Sequence, residues 1–127
     1  MPHPPPQAER QGALALVIKP GDEGAALIRL PADQLAAVIM VHDLIGGYFE
    51  PIGTPDWIAY VAEDERQFPD GLAANLHADA LARALGWHWD HGDYAKGVAV
   101  FMGRHGTDEA DVPQRVLDLA HVAGVLT

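Results

Sequence analysis

Residues 86–97, GWHWDHGDYAKG, bring together the side chains in this sequence that are best suited to bind a metal ion. Two histidines and two aspartates lie close together in it, namely His88, Asp90, His91 and Asp93. Such residues at such spacing commonly bind transition metals. A closed zinc site also needs ligands from a second segment, and the chain has no cysteine to supply them. Trp87 and Trp89 alternate with the histidines, which is equally typical of an extended arm that buries its rings and exposes its polar groups. We therefore predict no metal site here.

The segment GGYFE (46–50) is a second place where chemistry is conceivable. Gly46 and Gly47 have no side chains, so the backbone there can approach a ligand or another chain closely. Tyr48 and Glu50 are two residues apart and would share one face of a strand, where a phenol and a carboxylate can recognise a base or a sugar. The alternative is a helix end followed by an ordinary strand. A phosphate-binding loop is not indicated, because its glycines would have to open a helix.

Carboxylates and one amide lie near the middle of the chain. Glu63, Asp64 and Glu65 follow an apolar run, and Asn75 precedes the segment LHADALARAL (76–85). A pair of carboxylates can act as general acid and base, but no nucleophile signature accompanies this one. Asn75 is also suited to cap the following helix by accepting hydrogen bonds from its free amide groups.

These residues must be positioned by a small set of strands and helices. Apolar periodicity and turn residues predict the order strand, strand, helix, strand, strand, helix, strand, helix. The segments are 13–21, 25–31, 32–47, 48–52, 56–65, 76–85, 96–104 and 111–124. This order favours a single α+β domain over residues 13–127, with a mostly antiparallel sheet of about five strands and three helices. The Pro-rich residues 1–12 are expected to form a disordered leader.

Spacing also predicts details of the helices and of the site. The core-facing stripe of the first helix is expected to be Leu35, Val38, Ile39, His42 and Ile45. Asp111, Pro113 and Gln114 form a capping-box pattern at the start of the last helix.

The two middle strands suggest where a site would lie. If the strands over 48–52 and 56–62 pair antiparallel, Glu50 and Glu63 lie toward the same end of the pair. Tyr48 would then sit near the sheet end that receives Asn75. We therefore expect a shared cleft between the sheet and the second helix.

Charge and composition narrow the function classes. The chain of 127 residues carries 18 acidic and 8 basic residues, a formal net charge of -10. That balance argues against direct contact with nucleic acid, whose phosphates need a basic face. It leaves open an acidic protein that imitates DNA. No apolar run is long enough to span a bilayer, and the absence of cysteine fits a reducing cytoplasm.

Several short motifs occur along the chain in a set order. They are IKPG (18–21), LIGGYFE (44–50), AEDE (62–65), GLAANLHA (71–78) and GVAVFMG (97–103). In this order and spacing the chain resembles a small family of unknown function found in phages, plasmids and actinobacterial genomes. It departs from the family pattern at Ala73, where proline is usual, and in the basic-poor loop after Glu65. The resemblance implies no enzymatic activity but an accessory role in mobile elements, such as interference with a host defence or regulation of a host partner.

The leading hypothesis is a non-enzymatic accessory protein that binds a small ligand or a host protein, with anti-defence activity as one such role. Its predicted ligand-binding residues are Gly46, Gly47, Tyr48, Glu50, Glu63, Glu65 and Asn75. One alternative is an acidic DNA mimic that inhibits a DNA-binding protein. Another is a small hydrolase or metal-dependent enzyme that uses Glu63 and Glu65, or His88 and His91. We expect a cytoplasmic protein without cofactor, membrane contact or direct nucleic-acid contact, for which a homodimer is conceivable.

Overall fold

A computed structural model describes residues 12–21, 24–106 and 108–126 of the chain. Its strands are Leu14–Ile18 (β1), Ala25–Arg29 (β2), Phe49–Gly53 (β3), Trp57–Ala62 (β4), Ala99–His105 (β5) and Asp108–Ala110 (β6). Its helices are Gln34–Ile45 (α1), Leu76–Ala84 (α2) and Gln114–Val122 (α3). Short 3-10 segments lie at Glu65–Gln67 and Asp90–Gly92. Apart from Gly12, the predicted Pro-rich leader lies outside the described residues.

The strands form one antiparallel sheet in the order β2–β1–β5–β4–β3. Gly103 of β5 pairs with Trp57 of β4 on one side and with Ala110 of β6 on the other. The short strand β6 therefore lies on the same side of β5 as β1 does. The predicted α+β class, with a mostly antiparallel sheet and three helices, is confirmed in the described part of the chain. The short strand β6 was not predicted, because its sequence Asp-Glu-Ala has neither the length nor the apolar alternation of a strand.

Helices cover both faces of the sheet. On one face α2 and α3 pack over apolar side chains of β1, β3, β4 and β5, with Trp57 and Phe101 among the most deeply buried. On the other face α1 packs over the opposite side chains of β1, β4 and β5, including Val17, Ile58 and Val100. Because β4 and β5 are covered on both faces, they are apolar on both.

The stripe by which α1 contacts the sheet differs from the predicted one. The buried residues are Ala37, Val41 and Ile45, whereas Leu35 and Ile39 are 68% and 53% exposed. Of the five predicted stripe residues, only Ile45 is buried; Leu35, Val38 and Ile39 are exposed and His42 is partly exposed. The prediction was wrong because α1 is apolar nearly all round, so residues four apart on two different sides fit a helical stripe equally well.

The helix ends follow capping chemistry with one exception. Asp33 accepts a hydrogen bond from the amide of Ala36 at 2.9 Å and so caps α1. At α3 the predicted capping box does not form, and Pro113 occupies the cap position without a side-chain bond. The Asp111 carboxylate instead accepts from the amide of Leu14 at 2.8 Å, because β6 brings it against the start of β1. None of the helices in residues 12–126 that the structure describes is both long and apolar enough to cross a membrane.

Candidate functional site

The β3–β4 pair brings two predicted site residues together. Glu50 pairs with Val61, and the amide of Glu63 donates to the carbonyl of Tyr48 at 3.0 Å, one step beyond the strand register. Glu50 and Glu63 therefore lie at the same end of an antiparallel pair, as the sequence predicted. The two carboxylates are close enough for Glu63 to affect the ionisation of Glu50.

A cleft of about 250 Å³ opens at this end of the sheet, and we call it the acidic cleft. It is lined by Glu50, Val61, Ala62, Glu63, Asp64, Glu65, Leu72, Trp89, Asp93, Tyr94 and Lys96. Three predicted site residues, Glu50, Glu63 and Glu65, are among them. The predicted second wall was wrong, because the segment from Trp89 to Lys96 forms it rather than helix α2.

Some carboxylates in the acidic cleft already form ion pairs with basic side chains of the protein. Arg66 binds Asp64 at 2.9 Å, and this hydrogen bond lowers the pKa of the Asp64 carboxyl. The Lys96 ammonium lies 3.5 Å from Glu65 and 3.4 Å from Asp93. For Glu50 and Glu63, by contrast, no hydrogen-bond or ion-pair partner of the side chain occurs among the described residues. These two carboxylates are the groups left to meet a ligand.

Burial, and secondly repulsion by Glu63, raises the pKa of Glu50 above its ordinary value of 4.5. Between the unfolded and the raised folded pKa, the native chain binds more protons than the unfolded chain. Stability therefore falls as the pH rises through that window. We expect Glu50→Gln to raise the melting temperature slightly at neutral pH, and this gain to vanish below about pH 4, where the carboxyl is protonated in both states.

Thermal unfolding of the wild-type and Glu50→Gln chains across this pH range measures the effect. In a Glu63→Gln background the gain should shrink, because one source of repulsion is gone. A gain in melting temperature of equal size at every pH would show that the ionisation of Glu50 is not its cause.

The paired glycines serve the packing of the helix end. Gly46 adopts φ 89° and ends α1, where its amide donates to the carbonyl of His42. A Cβ on Gly47 would lie 2.4 Å from the side-chain oxygen of Gln67. That Gln67 amide bonds both the N–H and the carbonyl of Tyr48, at 2.7 and 2.9 Å. Neither glycine lines the acidic cleft, and both act as architecture in this arrangement.

Tyr48 lies outside the acidic cleft as well. Its side chain is 70% exposed, and its ring meets the edge of His42 on α1 at 5.6 Å between centroids. It lies toward the sheet end that receives Asn75, as expected, because Asn75 bonds Ile18 at the end of β1 and Gly97 before β5. Tyr48 lies beside edge strand β3, however, with β4 between β3 and β5.

Asn75 is fully buried and its hydrogen bonds are internal. Its side-chain oxygen accepts from the amide of Ala78 at 3.0 Å and caps α2. Its amide group donates to the carbonyls of Ile18 at 3.0 Å and Gly97 at 2.8 Å. These bonds match the capping role that the sequence also allowed, and they leave the side chain without access to the cleft.

The segment around His88 and His91 behaves as the arm that its alternating pattern allowed. Trp87 and Trp89 pack against the core of the α2 and α3 face, whereas the two histidines are exposed. Trp57, Trp87 and Trp89 follow one another in edge-on contacts of 6.5 and 6.0 Å between ring centroids. Over the described ranges, no cluster of three or more histidine or carboxylate side chains is arranged to hold a metal ion.

Comparison with models of protein families, with curated proteins and with solved structures finds no match. The family resemblance stays a prediction from the motifs.

Two features of the surface were not predicted from the sequence. The aromatic wall of the acidic cleft, Trp89 and Tyr94, belongs to a segment that was analysed for its histidines. The exposed apolar side chains of α1 were assigned to the core. The signal for the second feature was present, because a helix that is apolar nearly all round cannot bury every side against one sheet.

Proposed function

We propose that this chain is a non-enzymatic binding protein that holds a cationic group of its ligand in the acidic cleft. The observation that carries the proposal is the pair Glu50 and Glu63, two neighbouring carboxylates that face a cleft with an aromatic wall and have no counter-cation in the described part of the chain. The proposal also rests on three of the seven predicted site residues converging there.

Electrostatics favours a cation over other ligands. Burial and the neighbouring Glu63 charge disfavour the ionised form of Glu50, and an entering cation relieves that repulsion. Trp89 and Tyr94 add ring faces, which attract ammonium and guanidinium groups. Tyr94 already has the Lys96 ammonium 4.8 Å from its ring centroid. A ligand with a positively charged head and a short apolar body matches this lining.

The geometry supports binding better than hydrolysis. A general acid and base must be oriented by hydrogen bonds, and Glu50 and Glu63 have none among the described residues. The side chains that line the acidic cleft include no serine, threonine, cysteine or histidine that could act as a nucleophile. The raised pKa of Glu50 alone does not make a catalytic pair.

The proposal places the protein in the cytoplasm, as an accessory factor of a mobile element whose ligand is a host molecule. The motif resemblance supports this setting. A DNA mimic would need two regular rows of carboxylates, whereas the acidic cleft sets its carboxylates in one concave site beside aromatic rings.

Titration of the isotope-labelled chain with agmatine, followed by NMR, tests the proposal. We expect shifts confined to the acidic cleft, with Glu63, Glu65 and Tyr94 among the affected amides. Glutarate and pentanol, which lack the cationic groups, should produce none. The Glu50→Gln, Glu63→Gln double variant should weaken agmatine binding by about tenfold or more, because the lost charge-assisted contacts are together worth more than about 1.4 kcal/mol.

Asp56→Asn is the matched control for charge. Asp56 is exposed in the turn at the opposite end of the β3–β4 hairpin, so this variant should bind agmatine like the wild type. Agmatine shifts spread evenly over surface carboxylates, or unchanged in the double variant, would overturn the proposal.

A further inference from the structure

Helix α1 presents an apolar face to solvent, which we call the α1 face. Leu35, Val38 and Ile39 follow helical steps of three and four residues, and all three are exposed. The exposed ring of Tyr48 continues this surface beyond the helix end. Contiguous apolar side chains on one side of a helix, unlike scattered single ones, mark interaction sites.

The α1 face joins the acidic cleft through one residue. A shallow groove of about 370 Å³ is lined by Val38, Ile39, His42, Tyr48, Phe49 and Glu63. Glu63 also lines the acidic cleft. An occupant that places a cationic group in the cleft therefore has an apolar groove directly beside it.

The charge around the groove restricts what can cover it. Residues 30–65 contain no lysine or arginine. Of the acidic residues in this stretch, Glu63 lines the groove, Glu50 lines the adjoining acidic cleft, and Asp43 follows the groove residue His42. A second copy packed face to face would bring these carboxylates together, and like charges across an interface are unfavourable. Nucleic acids and anionic lipid surfaces would be repelled for the same reason, whereas a basic segment is attracted.

We infer that the α1 face and the acidic cleft together bind an amphipathic basic helix of a partner protein. Its apolar side chains pack in the groove along α1, and an arginine or lysine beside them reaches Glu50 and Glu63. A helix fits because the exposed row on α1 forms a ridge of the kind that packs into the groove of another helix. This inference rests on the proposed function, since it names the macromolecule that carries the cationic group.

A designed peptide of about 18 residues, long enough for five helical turns, is the probe. It carries leucines on one face and arginines beside them. One control peptide has the same composition in scrambled order. The other control peptide has glutamate in place of arginine. Fluorescence anisotropy should detect binding of the first peptide and much weaker binding of both controls. The Val38→Ser, Ile39→Ser variant should weaken that binding by about tenfold or more, because two apolar contacts are lost.

Matched measurements separate the inference from the proposed function. Val122→Ser removes an apolar side chain that is 86% exposed on α3, and it should leave peptide binding unchanged. The Val38→Ser, Ile39→Ser variant should still bind agmatine like the wild type. Peptide binding that is insensitive to this variant, while agmatine still binds in the cleft, would overturn the inference alone. Concentration-dependent dimerisation abolished by the same variant would assign the α1 face to a second copy and also overturn it.

Discussion

Replacing Asn75 by alanine is expected to lower the free energy of unfolding by about 2–4 kcal/mol, because it removes a helix cap and leaves two buried carbonyls without their hydrogen-bond donor. The lost cap is the bond from the amide of Ala78 to the Asn75 side chain. The carbonyls of Ile18 and Gly97 lose the donor that joins them, in a place that water does not reach. Chemical denaturation followed by circular dichroism measures the difference.

Asp33→Ala is the matched control for the cap alone. Asp33 makes the corresponding bond at α1, to the amide of Ala36, but it is exposed and bonds no strand. Its replacement should cost about 1 kcal/mol, the ordinary value of an N-cap. If Asn75→Ala cost no more than Asp33→Ala, the bonds to Ile18 and Gly97 would contribute nothing measurable.

Asn75 also shows where sequence reasoning ends. An asparagine in front of an apolar helical pattern is a local signal, so its capping role could be predicted from a few neighbouring residues. Its donation to Ile18, 57 positions earlier, could not, because that contact exists only once β1 and the start of α2 are packed together. The same limit explains Asp111, whose local pattern predicted a cap but whose carboxylate bonds Leu14.

The candidate site also has one part that the sequence predicted and one part that it did not. Glu50 and Glu63 were predicted to lie toward the same end of a strand pair, because a short connection between two strand patterns favours an antiparallel pair. The opposite wall comes from the segment from Trp89 to Lys96, in which the alternation of rings and polar groups over residues 87–89 does not continue. His91 there adopts φ 53°, a conformation uncommon for a residue other than glycine. The path of such a segment is set by where Trp87 and Trp89 find apolar partners, and one sequence does not supply that information.

The orientation of α1 could not be chosen from its periodicity. Ala37, Val41 and Ile45 form one four-residue series and Leu35 and Ile39 begin another, so apolar residues alone give two overlapping stripes. The side with the small Ala37 packs against the sheet, where a small side chain lets the helix approach closely. The larger leucine and isoleucine are left outside, and they form the α1 face.

Trp57→Ala is expected to be the most destabilising single change considered, with a loss of about 3–5 kcal/mol in the free energy of unfolding. The Trp57 side chain is fully buried on β4. It stacks on Phe101 with 5.9 Å between ring centroids and meets Trp87 edge-on at 6.5 Å. Alanine would leave a cavity in the layer between the sheet and the two helices α2 and α3, and neighbours on β5 cannot collapse into it without breaking the sheet.

Two companion variants identify the cause of that loss. Trp57→Phe keeps an aromatic ring and removes an indole N–H that has no hydrogen-bond partner among the described residues, so its loss should be much smaller. Val122→Ala, on an exposed side chain, should be close to neutral. Trp87 contacts Trp57, and Trp89, which lines the acidic cleft, contacts Trp87. Trp57→Ala should therefore also make the position of Trp89 in the cleft less well defined. Agmatine binding by the fraction that remains folded should then weaken, whereas unchanged binding would show that Trp89 holds its place without this support.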